Sequence, residues 1–475
     1  MMRLHIFLLL QLTALPFYAQ QVPASPDKPW PVPSVSNDSR FRAELAQNAA
    51  RPTALNLDTV YSLPDLVDFA ERNNPETRVL WERAKERAAA VGVARSALLP
   101  TVAAVASASV NQYSLFDGKF NHENTTLFPA SLGLTYTLLD FGARRAKIDI
   151  ATANLLAADF AFNNVHRNLA FQVAEAYYRL LDALSQDNAA RATLSDAQTL
   201  REAVEAKLSS GLATLPDVLE ARAAAAQAEY ELASIQGLEE TAHGALATVL
   251  GVSPTVAFQV QDVSRVPISG TTIDEPVQTI MARALAQRPD LLAQVARIRA
   301  TDAAINQARS AYAPILSFSG NWGHTNAIGQ QKGGPEVHSA IYPYQAQFNL
   351  SWTIFDGGVR KNEVIRARSE KREAQAQAAV SRDQIENEIW TAYSHLKTAQ
   401  REQAAANALL EAADQSFTAA MEAFRAGVRT LIDVTSAQRS LARARAVQVA
   451  ARVLLFSSVA DLAYRAGEPI PAAQH

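Results

Sequence analysis

The chain has 475 residues, a formal net charge of -3 and no cysteine. The near-neutral charge offers no basic surface for nucleic acid, and the absence of cysteine excludes a disulfide framework, a cysteine-ligated zinc site and a cysteine nucleophile. About 90 residues are alanine, which is the best helix former and lets helices pack closely. This composition favours long helices in close contact.

The N-terminus has the pattern of an export signal. Arg3 precedes an apolar run at residues 6–15, and Ala19 stands before a possible cleavage point, so residues 1–19 are predicted to be a signal peptide. No later segment has the run of ~18 apolar residues that a membrane helix needs. A Pro-rich periplasmic segment, predicted to be extended, follows over residues 20–60.

The same motifs occur twice in the same order, 214 or 216 residues apart. The matching pairs are Asn74-Pro75-Glu76 with Arg288-Pro289-Asp290, Pro100 with Pro314, Leu134 to Gly142 with Leu350 to Gly358, and Gly211 to Val218 with Gly427 to Val434. Repeats of this length are far longer than those of solenoids. We therefore predict a first repeat at 61–251, a linker at 252–276, a second repeat at 277–467 and a tail at 468–475.

Each repeat is predicted to contain three helices. The apolar spacing indicates first helices at 63–96 and 277–310, long helices at 143–209 and 359–425, and last helices at 215–250 and 431–465. A helix as long as the middle ones spans roughly 100 Å. The fold class is mostly α, an elongated coiled-coil body with a β part.

The β part is predicted from short alternating segments at about 99–112, 129–139, 313–325 and 343–355, joined by loops at 113–128 and 327–342. One face carries large apolar residues, namely Leu134, Tyr136, Phe318, Trp322, Phe348, Leu350 and Trp352. Such alternation is typical of a membrane barrel with a wet lumen, although a half-buried strand in a soluble sandwich has the same period. Four strands are too few to close a membrane barrel, whereas three chains would supply twelve.

These repeats, with their Asp-Phe-Gly and Phe-Asp-Gly-Gly strand exits and Gly-x-x-Thr-x-x-Asp-Val turns, resemble the TolC family of outer-membrane factors. The resemblance implies a homotrimer with a twelve-stranded barrel in outer-membrane lipid and an α-helical tunnel across the periplasm. It also implies a periplasmic adaptor and an inner-membrane pump of the resistance-nodulation-division or ABC type as partners. No enzymatic activity, cofactor, metal or nucleic-acid partner is expected.

The helix-joining turns are the candidate functional residues. Gly211 and Gly427 suit the left-handed position that ends a helix, and Thr214 with Asp217, like Thr430 with Asp433, suits a helix cap. In the resembled family the second turn lies at the closed periplasmic entrance. The resemblance places Asp433 on an acidic gate position, Arg429 on a basic one and Phe424 on an aromatic one. Candidate adaptor contacts are Leu212, Ala213 and Val428, together with the turn residues Gly211, Thr214, Asp217, Gly427 and Thr430.

Other functions have less support in the sequence. The histidines are scattered without metal-ligand spacing, and no nucleophile elbow or phosphate-binding loop is present. A soluble periplasmic coiled-coil scaffold would share the signal peptide and the helices, but it would not need two equivalent pairs of strands. Within the channel class, drug efflux and type I protein secretion both remain open.

Overall fold

The structure is a computed structural model that describes Ala43, Leu55 and residues 59–117, 119–261, 275–331 and 334–468. The predicted signal peptide, most of the Pro-rich segment, residues 262–274 of the linker and the tail from 469 onward lie outside the described residues. The elements given below belong to the unit that begins at Leu55.

The two halves of this unit contain the same elements in the same order. The first half consists of β1 (Val60–Tyr61), α1 (Leu63–Asn73), α2 (Pro75–Ser96), β2 (Thr101–Ala106), β3 (Ser109–Asp117), β4 (Lys119–Leu139), α3 (Ala143–Ser209) and α4 (Leu215–Val249). The second half consists of β5 (Gln259–Val260), α5 (Val277–Gln287), α6 (Pro289–Ser310), β6 (Ile315–Gln331), β7 (Glu336–Ile341), β8 (Tyr344–Ser351), α7 (Val359–Arg425) and α8 (Leu431–Ala466). The predicted duplicated fold of long helices and strands is confirmed.

The two long helices, α3 and α7, each contain 67 residues and have the predicted bounds. Each begins after a glycine in the left-handed region, Gly142 with φ 94° and Gly358 with φ 90°. Just before each glycine an aspartate accepts the backbone N–H of an arginine in the first turn, Arg144 to Asp140 at 2.7 Å and Arg360 to Asp356 at 3.0 Å. Both arginines also form an ion pair with the same carboxylate. The strand-to-helix junction therefore has the same local chemistry in both repeats.

The single first helix predicted for each repeat was wrong, because each is broken in two. The breaks fall at Asn74 and Arg288, whose backbones are extended with ψ 127° and 123°. Each is followed by a proline, Pro75 or Pro289. The proline ring clashes with the backbone of the preceding residue in the helical conformation. The first helix consequently ends there, and the next begins with the proline at its first position.

The sheet is antiparallel and has four strand positions. β2 and β3 pair end to end with one edge of β4, while β8 and β7 pair in the same way with one edge of β6. β4 and β6 pair with each other over the range from Glu123 opposite Gln331 to Thr137 opposite Ser317. The order is therefore β2/β3, β4, β6, β7/β8. A separate parallel pair joins β1 to β5.

Two prolines account for the interruptions in the outer strand positions. Pro129 lies opposite the break between β2 and β3, and Pro343 lies between β7 and β8. A proline has no N–H to donate to the ladder. Its carbonyl still accepts, from the N–H of Ser107 at 3.0 Å in the first case and of Gly323 at 2.9 Å in the second.

The strands extend further into the predicted loops than expected, whereas β8 ends at Ser351 and not near residue 355. Most of each predicted loop is strand, since β3 and β4 are separated only by residue 118, and β6 reaches Gln331. One added stretch, residues 119–126, is polar except for Phe120, and the others do not alternate regularly between apolar and polar residues. They lack the alternation that identifies a half-buried strand, but backbone pairing does not require it.

Two apolar clusters lie where the helices of the repeats meet. One contains Leu66 of α1, Leu181 of α3, Leu246 of α4 and Phe456 of α8. The other contains side chains from α5, α7 and α8, including Ile280, Ile389 and Leu455. Fully burying one such side chain stabilises the fold by about 1.5–3 kcal/mol. Helix α8 contributes to both clusters and so holds the two repeats together.

Helix α8 is, within the described residues, long and apolar enough to cross a membrane by length and composition. The sequence alone had predicted no such segment after the signal. The apolar side chains of α8 are used instead in packing against both repeats, as with Phe456, Ala460 and Leu462. Packing inside the chain therefore accounts for part of the hydrophobicity of α8.

The helix breaks are tied to the ends of the last helices. The side-chain amide of Asn74 donates to the carbonyl of Val249 at 3.0 Å, and Arg288 Nη1 donates to the carbonyl of Arg465 at 3.2 Å. A glycine with positive φ ends each of these helices, Gly251 with φ 77° and Gly467 with φ 86°. These contacts hold the start and the end of each repeat side by side.

Replacement of Gly251 by alanine is expected to destabilise the protein. The new Cβ would lie 3.1 Å from the carbonyl oxygen of Asn73, in a backbone conformation that disfavours L side chains. The loss should be roughly 1–3 kcal/mol. The matched control is Gly237→Ala in α4, where a Cβ meets nothing within 4 Å. There alanine should stabilise by about 0.5–1 kcal/mol. Chemical unfolding in detergent, followed by circular dichroism, would contradict this if both variants changed stability in the same direction.

Candidate functional site

The site consists of the two turns that join the long helices to the last helices. After α3, Gly211 has φ 72°, and after α7, Gly427 has φ 78°. The N–H of Leu212 donates to the carbonyl of Lys207 at 2.8 Å, and that of Val428 donates to Ala423 at 2.8 Å. This is the Schellman pattern, which satisfies carbonyls left free at a helix end. Both glycines therefore occupy the left-handed position that ends a helix.

Both following helices begin with a complete capping box. The backbone N–H of Thr214 donates to Asp217 Oδ2 at 2.8 Å, and the N–H of Asp217 donates to Thr214 Oγ1 at 3.4 Å. Thr430 and Asp433 repeat these contacts at 3.1 and 3.4 Å. Each aspartate therefore satisfies free N–H groups at a helix start. Helix capping alone accounts for the presence of both aspartates.

The capping contacts also set the charge of these carboxylates. Hydrogen bonds from the side chain and the backbone of Thr430 lower the pKa of Asp433, and the nearby positive charge of Arg429 lowers it further. The same bonds from Thr214 lower the pKa of Asp217. Both groups are consequently negative at neutral pH in the single chain.

The three residues that the family resemblance places at a gate, Phe424, Arg429 and Asp433, occupy different environments. Arg429 is exposed, and Asp433 is partly exposed. Phe424 is buried, with an exposed fraction of only 7%. It packs in a cluster with Leu200, Val204 and Leu431, which we call the tip core. Within one chain, Phe424 therefore packs inside the tip, while Arg429 is exposed.

A lysine that was not predicted from the sequence ties the two turns together. The ammonium of Lys207 donates to the carbonyl of Phe424 at 2.5 Å and lies 3.9 Å from the centre of its ring. The first contact places a cation on the C-terminal end of α7, which the helix dipole favours. The second is a cation–π contact. The sequence signal for this contact was a basic residue in the last turn of α3. Its partner, Phe424, is 217 residues away along the chain.

A second link joins the first turns of the last helices. Thr435 of α8 donates to Glu220 of α4 at 3.2 Å, and Thr435 is almost fully buried. Close by, Arg222 of α4 donates to Glu205 of α3 at 2.9 Å. Together with Lys207, the Thr435–Glu220 bond holds the tips of the two repeats against each other in one chain.

The candidate adaptor contacts differ in exposure. Leu212 and Val428 are about four-fifths exposed, at 77% and 79%, whereas Ala213 is only partly exposed. Two further large apolar residues, Leu215 and Ile432, are also exposed in the first turns of α4 and α8. Exposed apolar side chains at adjacent turns are suited to contact with another protein.

Six of the seven predicted lipid-facing residues lie on one face of the sheet, and Trp352 follows the end of β8. The register places Tyr136 opposite Phe318 and Phe318 opposite Phe348, and it places Leu134 in line with Ala346 through Gly320. Trp322, Phe348, Leu350 and Trp352 are exposed, while Leu134, Tyr136 and Phe318 are partly covered by neighbours. The sheet therefore presents a continuous apolar face.

No group of three or more histidine or acidic residues placed to hold a metal ion occurs in the part of the chain that the structure describes. One groove between helices is lined by α3, α4 and α8, and includes Thr193, Gln227 and Gln438.

Comparison with known proteins identifies the class. The sequence profile of the family described as "Outer membrane efflux protein" matches twice, at residues 66–252 and 280–468. The chain is 27% identical over 425 residues to Protein CyaE of Bordetella pertussis, covering 88% of this chain and 86% of that protein. It is 26% identical over 412 residues to the pyoverdine export outer membrane protein OpmQ of Pseudomonas aeruginosa, covering 83% of both. The structure of the outer-membrane channel OprN superposes with a TM-score of 0.75 at 22% identity, covering 89% of this chain and 95% of that one.

The two family matches include the helices, strands and turns of both repeats, so this chain belongs to the outer membrane efflux protein family. It is a subunit of an outer-membrane efflux or secretion channel with a periplasmic helical portion, and it is not an enzyme. The alternative of a soluble periplasmic scaffold is thereby removed.

The capping role of Asp433 gives a pH-dependent prediction for Asp433→Asn. A carboxyl whose pKa is lowered by folding stabilises the fold above its unfolded value of 3.8, and this contribution is lost as the pH falls through the lowered pKa. The variant should therefore unfold at a lower temperature than the wild type at neutral pH. This gap should close in acid.

Thermal unfolding followed by circular dichroism at several pH values in detergent measures the gap. The control is Glu229→Gln, an exposed carboxylate farther along α4 and outside the turns. A gap for Asp433→Asn that stays constant from neutral to acid pH would contradict the capping account.

Proposed function

We propose that three copies of this chain form one channel, with their sheets closed into a twelve-stranded barrel in the outer membrane. The supporting observation is the pair of outer strand positions, β2/β3 and β7/β8, each paired on one side only within the described chain. Each backbone group left unpaired in hydrocarbon costs several kcal/mol. Four strands cannot close a barrel alone, so the outer strands need partners from other copies.

The apolar face of the sheet supports a location of this surface in lipid. It carries Trp322 and Trp352, and tryptophan is enriched at the edges of the hydrocarbon layer. The opposite face is polar at positions such as Ser317, Gln345 and Asn349. Polar side chains on that face are suited to a water-filled lumen.

In this proposal the helices form the conduit below the barrel. A periplasmic adaptor binds at the exposed turn residues Leu212 and Val428, and an inner-membrane pump supplies the energy and the substrate. Because one relative is named for pyoverdine export, efflux of small molecules is the first candidate. Type I protein secretion is the second, since the pump determines the substrate.

We further propose that the second turn is the gate. In a trimer, three copies of Asp433 would approach one axis, and their mutual repulsion would raise their pKa against the lowering caused by Thr430. A ring of carboxylates favours cations. Arg429, the neighbouring cation, would balance this charge and hold the closed state. Phe424 has a different role in this proposal. Because it is buried and contacts Lys207, it anchors the tip.

The trimer is tested by imaging the protein in mild detergent. We expect threefold particles with a helical portion about 100 Å long, as the length of α3 and α7 requires. Mass measurement in the same detergent should give three chains per particle. Single-chain particles that stay in solution without detergent would contradict the proposal.

The gate is tested by single-channel conductance in planar bilayers. Arg429→Ala and Asp433→Ala are expected to raise the open probability, because each removes part of the charge balance at the entrance. The matched control is Asp217→Ala, which removes the same capping box from the first turn. If capping alone mattered, Asp433→Ala and Asp217→Ala would loosen their turns alike. Equal conductance in these two variants would therefore contradict a gating role.

A further inference from the structure

The first turns of α3 and α7 carry positive charge where a helix favours negative charge. Arg144, Arg145 and Lys147 lie near the start of α3, and Arg360 and Lys361 lie near the start of α7. Neither first turn contains an acidic residue, whereas α1, α2, α4, α6 and α8 each have one there. Cations at a helix start oppose the helix dipole. Helix stability therefore does not explain their presence in both repeats.

Two more cations lie beside these turns, at the ends of α2 and α6. Arg95 and Arg309 are in the last turns of these helices, and both are exposed. Arg144 Nη1 donates to the carbonyl of Ala97 at 3.3 Å, so the end of α2 lies against the start of α3. Helix α6 packs against α7 in the same way in the second repeat. We call the cations at these helix ends and starts the basic collar.

The basic collar has a strong excess of positive charge. Residues 95–99, 140–147, 309–314 and 356–361 contain two acidic side chains and seven cations, namely Arg95, Arg144, Arg145, Lys147, Arg309, Arg360 and Lys361. The excess is five positive charges, in a chain whose formal net charge is -3. Both carboxylates, Asp140 and Asp356, are already bound to Arg144 and Arg360. The other five cations are exposed, and only Arg145 has an ion pair within the described residues, at 3.4 Å from Asp149.

The collar lies directly against the end of the apolar face of the sheet. The guanidinium of Arg144 is 5.8 Å from the ring centre of Tyr136, which lies on that face. The guanidinium of Arg360 is 5.1 Å from the ring centre of Tyr312, whose carbonyl accepts the indole N–H of Trp352 at 3.1 Å. Aromatic residues of this kind are enriched where hydrocarbon meets the lipid headgroups. The collar is therefore at headgroup depth on the helical side of the sheet.

The length of the apolar face agrees with this depth. Its other end is marked by the pair Trp322 and Tyr344. From Tyr344 to Trp352, just after β8, every second residue is apolar. This stretch covers about 26 Å along the strand, or about 20 Å along the membrane normal at a tilt of about 40°. With the aromatic rings at both ends, it approaches the roughly 25 Å apolar band of an outer-membrane barrel.

We propose that the basic collar binds the headgroups of anionic phospholipids in the periplasmic leaflet of the outer membrane. Long basic side chains keep their stems on apolar surface while their charges reach the headgroups. The exposed cations of the collar are suited to this contact, because they stand beside the aromatic end of the apolar face with little competing negative charge. The inference rests on the proposed barrel in lipid and adds the class of lipid that the barrel selects.

Native mass spectrometry of the assembled protein tests the collar. The protein in mild detergent is mixed with equal amounts of phosphatidylglycerol and phosphatidylcholine that have the same acyl chains. Each cation near an anionic surface favours binding roughly fivefold, so phosphatidylglycerol should be retained at several times the amount of phosphatidylcholine. The fourfold variant Arg95→Gln, Arg145→Gln, Arg309→Gln and Lys361→Gln should retain the two lipids in nearly equal amounts.

The matched control removes four exposed cations that lie at least ten residues from the collar along their helices, namely Arg78→Gln, Arg299→Gln, Lys397→Gln and Arg401→Gln. It changes the net charge by the same amount and should keep the lipid preference of the wild type. If the fourfold collar variant fails to assemble, the double variant Arg145→Gln with Lys361→Gln takes its place. That variant keeps the ion pairs of Arg144 and Arg360, and its preference should be reduced.

Thermal unfolding distinguishes a lipid from a free anion. The wild type in zwitterionic detergent is heated with phosphatidylglycerol, with phosphatidylcholine or with inorganic phosphate. Phosphatidylglycerol should raise the melting temperature more than either of the others. An equal rise with inorganic phosphate would assign the collar to free anions and overturn the lipid proposal.

The outcomes separate this inference from the proposed function. The collar would be overturned, and the barrel left standing, by trimeric particles whose collar variants keep the full lipid preference, or whose control loses it equally. A wild type that needs detergent but retains both lipids alike would have the same meaning. Wild-type particles that stay in solution without detergent would overturn the barrel and this inference together.

Discussion

The fold depends on the need to pair every backbone N–H and C=O that enters lipid. A helix satisfies these groups internally, but a strand at the edge of a sheet cannot. This chain has a sheet of four strand positions with outer strands open on one side. Its long helices α3 and α7 each leave that sheet through the same aspartate–arginine junction at Asp140 and Asp356. In the proposed trimer, the helices of the three copies therefore assemble around the same axis as their strands.

Local signals in the sequence were sufficient for the helices and turns but not for the limits of the strands. The bounds of α3 and α7 follow from a long 3.6-residue periodicity that ends at glycine on both sides, and the Thr-x-x-Asp caps act within three residues. The break at Asn74 was missed because the periodicity continues across it, although the following proline forbids a continuous helix. The outer parts of β4 and β6 were missed because apolar and polar residues do not alternate regularly along them. Lys207 could not be found, since its contact with Phe424 forms only when the repeats pack together.

The two turns show how duplication separates structure from function. Both have the left-handed glycine, the capping threonine and the aspartate with a lowered pKa. These shared features build the turn and would be needed whatever the chain did. The residues that differ are the informative ones. Arg429 stands where the first turn has Ala213, and Phe424 stands where α3 has Leu208. A role particular to the second turn must rest on such differences. Lys207, which contacts Phe424, is a third difference.

The helical contact between the two repeats is apolar inside one chain. There α3 meets α8 through stacked rings, Phe171 on Tyr464 with ring centres 4.5 Å apart and Tyr178 on Phe456 with ring centres 6.2 Å apart. The equivalent residues of α7 and α4 are polar, namely Asn387, Ser394, Thr248 and Glu240. The ring stacking therefore stabilises the single chain, and the equivalent positions of α7 and α4 cannot repeat it. The strand edges differ from the helices, because their unpaired backbone groups gain most from a partner once they enter lipid.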